Sequence, residues 1–302
     1  MQAIGRSGSF AAAARVLGRA PSSVTYAVRQ LEERLDVLLF DRGGGSARLT
    51  AAGQTLVEEA GRLLADLESV SGRLQRQASG WEARFTLAVD DLIARGPLLD
   101  ICQDFYALRP GASEAGGTGT RLRLRTEILA GTWEALLQGE ADLAVGTGDH
   151  ALPPEGFQVE TLGQIDFAFA VAPRHPLARH RGPIPDSVLV RHRAVAVADS
   201  ARRFSALTVN LLPGQDVLTV GSIAEKLQAQ LRGLGCGFLP APLLQPYLAR
   251  GELVTCRVRE PARAARLGYA WRVGSGSAAM GKALRWWLGR LRSPATRQAL
   301  LG

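Results

Sequence analysis

The chain has 302 residues, enough for two or three compact units that each bury a core of their own. Its formal charge is +8 and its pI about 10.2, carried almost wholly by arginine, with lysine only at Lys226 and Lys282. That balance favours polyanionic partners, although a high-GC coding bias would give the same composition.

Three cysteines, Cys102, Cys236 and Cys256, show neither metal-ligand spacing nor an even count, which argues against a disulfide framework and for a reducing compartment. They read as buried small hydrophobes. A redox pair of Cys102 and Cys236 would require adjacency and activation. No apolar run approaches the roughly 20 residues that span a bilayer, and no signal-peptide core opens the chain, so a cytoplasmic protein without membrane contact is expected.

In chain order, Ser9 stands before the alanine-rich stretch Phe10 to Leu17, which Gly18 ends: a short helix with a serine N-cap. Pro21 suits the first turn of a second helix, in which Val24, Val28, Leu31 and Leu35 recur at steps of four, three and four and face inward. The opposite face carries Ser22, Ser23, Thr25, Tyr26 and Arg29. Hydroxyls at a helix start can hold phosphates, and Arg and Tyr reach base edges, so this face suits a DNA groove; the plainer reading is a solvated polar face.

Leu38 to Arg42, a tip at Gly43 to Arg48, and the return Leu49-Thr50 read as a β-hairpin wing. Arg42 and Arg48 on its two sides could hold phosphate or simply be exposed arginines. From Thr50 to about Ser79 there is no proline, and Leu56, Ala60, Leu63, Leu67, Val70 and Leu74 form a heptad seam. This predicts a helix of about 30 residues that pairs with a second copy, presenting two reading helices to a partly palindromic double-stranded target. Gly61 and Gly72 weaken it by about 1 kcal/mol each.

The run Ser9-Phe10, Ala13-Ala14, Leu17, Pro21 to Tyr26, Leu31-Glu32, Leu35, Leu39 to Arg42, Arg48 to Thr50 and Ala52-Gly53 resembles the DNA-binding signature of LysR-type transcriptional regulators. The resemblance implies a winged helix-turn-helix over 1–53, with Ser22, Ser23, Thr25, Tyr26 and Arg29 on the recognition helix and Arg42 and Arg48 flanking the wing. A linker and dimerisation helix over 54–80 follows. Three positions depart from the pattern. Ala20 replaces a capping serine, Asp36 stands in place of a glycine after Leu35, and Gly45 falls where a wing arginine is common. Met1 to Gly8 supply only the last turn of the family's first helix, from which we expect a start codon further upstream. The alternative is an incomplete domain.

Beyond Trp81, short apolar runs alternate with helical segments, which predicts an α/β fold with largely parallel sheets. Expected strands are Phe85 to Val89, Leu122 to Ile128, Asp142 to Val145, Phe167 to Ala172, Val195 to Ala198, Leu218 to Val220, Gly237 to Pro240 and Tyr269 to Val273. Expected helices are Pro97 to Leu108, Trp133 to Gln138 and Met280 to Leu291. Pro110 to Thr120 reads as a mobile loop. In Arg121 to Thr126 the period of two buries the leucines and turns the arginines outward, as a solvated edge or a second nucleic-acid patch.

This region resembles the family's effector domain, itself similar to periplasmic binding proteins, through Gly139, Asp142 to Gly146, Val171 to Pro173, His175 to Leu177, Leu234 to Pro240, Gly251 and Leu253-Val254. The resemblance implies an effector domain over 81–302, with lobe one at about 82–163 and 268–302 and lobe two at about 164–267. The crossovers would lie near Gly163-Gln164 and Leu267-Gly268. Strand ends facing the cleft are Asp90, Asp91, Glu127, Ile128, Thr147, Ser200, Ala201, Gly221 and Ser222. Ser200 and Ser222 could donate to a carboxylate, whereas the three acids favour a cationic or hydroxylated effector.

No catalytic constellation is visible. His150, His175, His180 and His192 lack a partnered nucleophile, and Gly235-Cys236-Gly237 lacks the third glycine of a nucleotide loop. No metal or other cofactor is expected. The sequence thus points to a DNA-binding transcription factor that responds to a small-molecule effector as a homodimer or homotetramer. The alternative is a ligand-binding module that has lost DNA binding.

Overall fold

The computed structural model describes residues 1–41, 46–61, 63, 80–109, 118–148, 154–205, 207, 209–259, 264–273 and 280–302. The chain divides into two units, Met1–Ser71 and Gly72–Gly302.

In the first unit, α1 (Gln2–Ser7), α2 (Phe10–Val16) and α3 (Pro21–Leu35) precede a two-stranded hairpin, β1 (Phe40–Asp41) and β2 (Arg48–Leu49), and a helix α4 over 51–61. Ser9 caps α2 by accepting from the Ala12 amide, as its position predicts. The N-cap of α3, Ala20, makes no such bond, while Asp36 closes α3 in the left-handed region at φ 50°. Asp tolerates that conformation better than most side chains.

The core gathers Ile4, Ala13, Val28, Leu39, Phe40 and Ala47, with Phe10 edge-on to Phe40 at 5.3 Å between centroids. The apolar stripe of α3 is shorter than its periodicity suggests. Val28 is buried and Val24 and Leu31 half-buried, but Leu35 is 47% exposed at the helix end. Of the expected linker seam, Leu56 packs on this core, whereas Leu67, Val70 and Leu74 lie outside the described residues.

The second unit opens with β3 (Arg84–Asp90), α5 (Arg95–Tyr106), β4 (Arg121–Glu127), α6 (Gly131–Leu137), β5 (Leu143–Gly148) and β6 (Phe157–Ile165). It continues with β7 (Phe167–Val171), α7 (Asp186–Leu189), β8 (Ala194–Val197), β9 (Val217–Val220), α8 (Ile223–Leu231), β10 (Gly237–Pro240), α9 (Ala241–Ala249) and β11 (Val254–Thr255). The last elements are β12 (Ala265–Arg272), α10 (Lys282–Arg292) and α11 (Pro294–Leu301).

One sheet has the order β4-β3-β5-β12-β6, in which β12 runs against its neighbours and the others share a direction. In the other, β10 and β11 flank β7 antiparallel, while the parallel pair β8-β9 joins through a bridge between Ala194 and Cys236. The alternation of runs therefore predicts the parallel character, and the exceptions are β7 and β12. These are the strands on which the chain enters lobe two and returns from it.

The first sheet's core is aromatic. Trp287 is fully buried and stacks with Phe85 at 6.5 Å and Phe105 at 6.3 Å. Glu82, itself buried, accepts from the Ala283 amide at 2.9 Å and so caps α10 from a distance in sequence of some two hundred residues. β4 lies at the sheet edge, and there the period-two expectation fails in part: Leu124 is 37% exposed, because only β3 covers one side of the strand. Cys102 and Cys236 are buried in separate clusters, which removes them as a redox pair. Cys256 is only half-buried. Burial pushes all three thiols up, away from the thiolate. Of the loop expected over Pro110 to Thr120, residues 110–117 lie outside the described residues, as does His150.

Candidate functional site

The sequence of α3 sorts its residues by face. Val28 turns inward, while Ser22, Ser23, Tyr26 and Arg29 are exposed and Thr25 is half-buried. Tyr26 is 63% exposed, which for a large aromatic on a helix is an unmet surface. The Thr25 hydroxyl donates to the Pro21 carbonyl at 2.9 Å, and Gln30 donates to the Tyr26 hydroxyl at 3.0 Å. Neither bond uses up the outward-facing atoms of Ser22, Ser23 or Arg29.

The wing stands next to α3 because Glu32 holds it there. This carboxylate, buried within the unit, accepts from the Leu39 amide at 2.9 Å and the Phe40 amide at 3.2 Å. Sequence reading placed Glu32 only within a matching run. Its role was hidden because a glutamate near the end of an amphipathic helix ordinarily reads as solvated. Arg48 is exposed on β2, opposite Asp41. Arg42 and Gly45 lie outside the described residues. A groove of about 560 Å³ beside the wing is lined by residues that include Ser7, Ser46, Arg48 and Gln54.

In the second unit, three of the expected cleft residues, Glu127, Ile128 and Ser200, bond to one another, while Asp90, Asp91, Gly221 and Ser222 bond to other residues. Glu127, buried at the end of β4, accepts from the Ser200 hydroxyl at 2.7 Å and pairs with Arg125 at 2.8 Å. Ser200 also accepts from the Ile128 amide at 2.9 Å. Asp91 accepts from the Ile223 amide, the first residue of α8, at 2.6 Å. The expectation that Ser200 stands ready to donate to an external carboxylate is corrected accordingly, since it already donates to Glu127, whereas Ser222 caps α8 by accepting from Glu225 N at 3.1 Å and keeps its own hydrogen to donate. Gly221 is exposed and donates to Glu225. Thr147 is 2% exposed with a hydroxyl that meets no partner among the described residues.

Asp90 differs from its neighbour. It is 5% exposed, accepts from Leu92 N at 2.9 Å and Leu129 N at 3.1 Å, and burial pushes its carboxyl up to about 7 despite those two bonds. Leu129 sits at φ 53°, an unusual conformation for a branched residue, held by this bond to Asp90.

Two acids missed by sequence reading complete the contact between lobes. Glu134 on α6 accepts from the amides of Arg202, Arg203 and Phe204 at 3.0, 2.7 and 2.9 Å. Burial opposes its charge, but these donors hold the carboxyl below the usual range. Asp199 accepts from Ala201 N at 2.9 Å and Leu207 N at 2.8 Å, shaping the loop that presents Ser200. The close approach requires Gly131, where a Cβ would come within 1.8 Å of Ser200 Oγ. Among the described residues, no group of three or more His, Cys, Asp or Glu is placed to hold a metal ion. No helix of the described residues is long and apolar enough to cross a membrane.

A winged helix-turn-helix followed by a two-lobed α/β unit defines a ligand-responsive DNA-binding regulator. Residues 1–54 match the bacterial regulatory helix-turn-helix of the lysR family, and residues 78–293 match the LysR substrate binding domain. The chain belongs to the LysR family. It is 37% identical over 293 residues to the probable HTH-type transcriptional regulator YhaJ of Escherichia coli (strain K12), covering 95% of this chain and 92% of that one. Full-length LysG from Corynebacterium glutamicum, solved with bound effector Arg, matches the fold with a TM-score of 0.53 at 23% identity, covering 99% of this chain and 95% of the other. Full-length CbnR complexed with its target DNA matches with a TM-score of 0.58 at 17% identity, covering 96% of each chain.

The protein is thus a DNA-binding transcription factor with an effector-binding domain. With the helix-turn-helix matched over 1–54, a ligand-binding module without DNA binding is not favoured.

Proposed function

We propose that α3 enters the major groove with Ser22, Ser23, Thr25, Tyr26 and Arg29, that Arg29 reads a base, and that Arg48, with Arg42, holds phosphates at the wing. The observation that carries this reading is the exposed polar face of α3, with Arg29 and Tyr26 outward and the wing fastened beside it by Glu32. The protein acts in the cytoplasm, as a dimer or tetramer on partly palindromic promoter sites, and by binding rather than catalysis.

The effector enters between the lobes, bordered by Asp90, Asp91, Glu127, Ile128, Thr147, Ser200, Ala201, Gly221 and Ser222. It competes with the bonds that Glu127, Asp91 and Glu134 make across the cleft. Exchange of those bonds for ligand contacts shifts the population of lobe arrangements.

The test is capture of fragmented genomic DNA by the purified protein, followed by sequencing, for wild type and Arg29→Ala. Wild type should enrich a few intergenic sites with a partial palindrome, and the variant should lose that preference while retaining general affinity. Equal enrichment by both proteins would remove Arg29 from base reading.

A further inference from the structure

The net charge of the chain is spread unevenly. Residues 1–71 carry 8 arginines against 8 Asp and Glu, and lobe one (82–163 and 268–302) carries 12 Lys and Arg against 13 Asp and Glu. Lobe two (164–267) carries 14 against 7, so nearly the whole surplus of +8 sits there. A coding bias toward arginine would act on all three parts alike, and a surplus confined to one lobe needs another cause. The unit that bears α3 is neutral by itself.

Within lobe two the surplus gathers on the segments that cover one face of β7, β10 and β11. From Arg174 to Arg193 there are 5 arginines and a single acid, Asp186. This run folds as a 3-10 turn, Pro176–Arg179, followed by α7, and it packs Leu177, Ile184 and Leu189 against Phe169, Val171 and Cys236. Val258, beyond β11, joins the same core. Ile184 N donates to the Arg257 carbonyl and Arg259 N to the Ile184 carbonyl, both at 2.9 Å, so the two arginines that flank Val258 stand beside the run. The His192 ring lies 5.2 Å from that of His175, which brings Arg191 next to the start of the turn.

The apolar residues take the inward positions, and Arg179, Arg181, Arg191, Arg257 and Arg259 are all exposed. None of the five makes an ion pair or a side-chain hydrogen bond among the described residues. The chemistry of the surface selects its partner. No exposed large apolar side chain lies on these segments. A protein partner would be anchored by such groups, whereas interfaces with DNA are polar and strongly positive. Guanidinium forks also match phosphate oxygens in pairs.

We infer that this arginine surface of lobe two holds the phosphate backbone of double-stranded DNA, as a second contact separate from α3 and the wing and without sequence preference. The inference rests on the chain's binding of DNA and extends it: α3 selects the site, and lobe two adds affinity and salt dependence.

The test is fluorescence anisotropy of a random-sequence duplex titrated with the full chain over a salt series. Wild type is compared with Arg179→Gln/Arg181→Gln, with Arg257→Gln/Arg259→Gln, and with a control, Arg121→Gln/Arg123→Gln, whose two arginines are exposed on β4 of lobe one. These side chains have no partner to lose among the described residues, so Tm should stay within about 2 °C of wild type in all three. Each lobe-two pair should reduce the slope of log K against log salt by about 0.9 for every arginine that meets a phosphate, roughly 2 in all, and the control should leave it unchanged. Unchanged slopes in both lobe-two pairs would overturn the inference, and so would an equal fall in the control, which would assign the effect to net charge. Failure of wild type to bind any duplex would remove the DNA-binding reading and the inference together, whereas firm binding with unchanged slopes removes the inference alone.

Discussion

The two units keep their polar groups in opposite places. In the first, the polar side chains of α3 project into solvent and the core beneath is small, built around Ala13, Val28 and Phe40. In the second, Asp90 and Glu127 are buried at the strand ends over an aromatic core, Glu127 bonded to Ser200 and its neighbour Asp91 to Ile223. A surface that reads DNA must offer donors to a partner always of the same chemistry. A cleft that responds to a ligand keeps its polar groups paired until the ligand competes for them.

The contrast can be broken most severely from the core. Trp287→Ala should cost about 3–5 kcal/mol, because it removes the ring stacked between Phe85 and Phe105. Unfolding followed by tryptophan fluorescence should shift strongly, while DNA affinity measured well below the transition stays within about twofold, since the reading face belongs to the other unit.

Asp90 gives the second unit a pH dependence of its own. Its folded pKa of about 7 lies above the ordinary value of 3.8, so the native state keeps a proton that the unfolded chain releases. Stability from this group is fully present below about pH 3.8 and is lost as pH rises to about 7. Between pH 5 and pH 8 the loss should be roughly 3 kcal/mol. Urea unfolding should show this decline in wild type and a flatter profile in Asp90→Asn. Parallel profiles would mean that Asp90 is ionised throughout.

Within the first unit, Glu32→Ala strands the buried amides of Leu39 and Phe40. A loss of about 2–3 kcal/mol is expected, with weaker DNA binding as the wing loosens. Glu32→Gln, which keeps an acceptor, should recover most of both.

Smaller effects separate reading from holding. Arg29→Ala should cost about 1–3 kcal/mol on a specific site and little on random DNA. Arg48→Ala should weaken both alike and reduce the salt slope by about 0.9. Titration by fluorescence anisotropy over a salt series distinguishes the two patterns.

The legibility of the sequence follows the same division. Ser9 and Pro21 could be placed from local chemistry, since a cap and a first-turn proline depend on neighbours in the chain, whereas Asp36 stood out only against the family pattern. The parallel runs of the second unit were equally plain. The positions of Asp90, Glu127 and Ser200 at strand ends were legible, yet not their partnerships. The bond between Glu127 and Ser200 spans 73 positions, and Glu134 meets a loop some seventy residues later. Nothing in the spacing of a lone glutamate on a short helix announces such a partner. The distant cap from Glu82 to α10 was invisible for the same reason.

Hydroxyl-radical footprinting on a captured genomic site tests the central claim most directly. Two protected half-sites are expected, their centres separated by about one helical turn or a whole number of turns, with Arg29→Ala erasing base-dependent protection in both. A single continuous footprint of no fixed register, unchanged by that substitution, would contradict it.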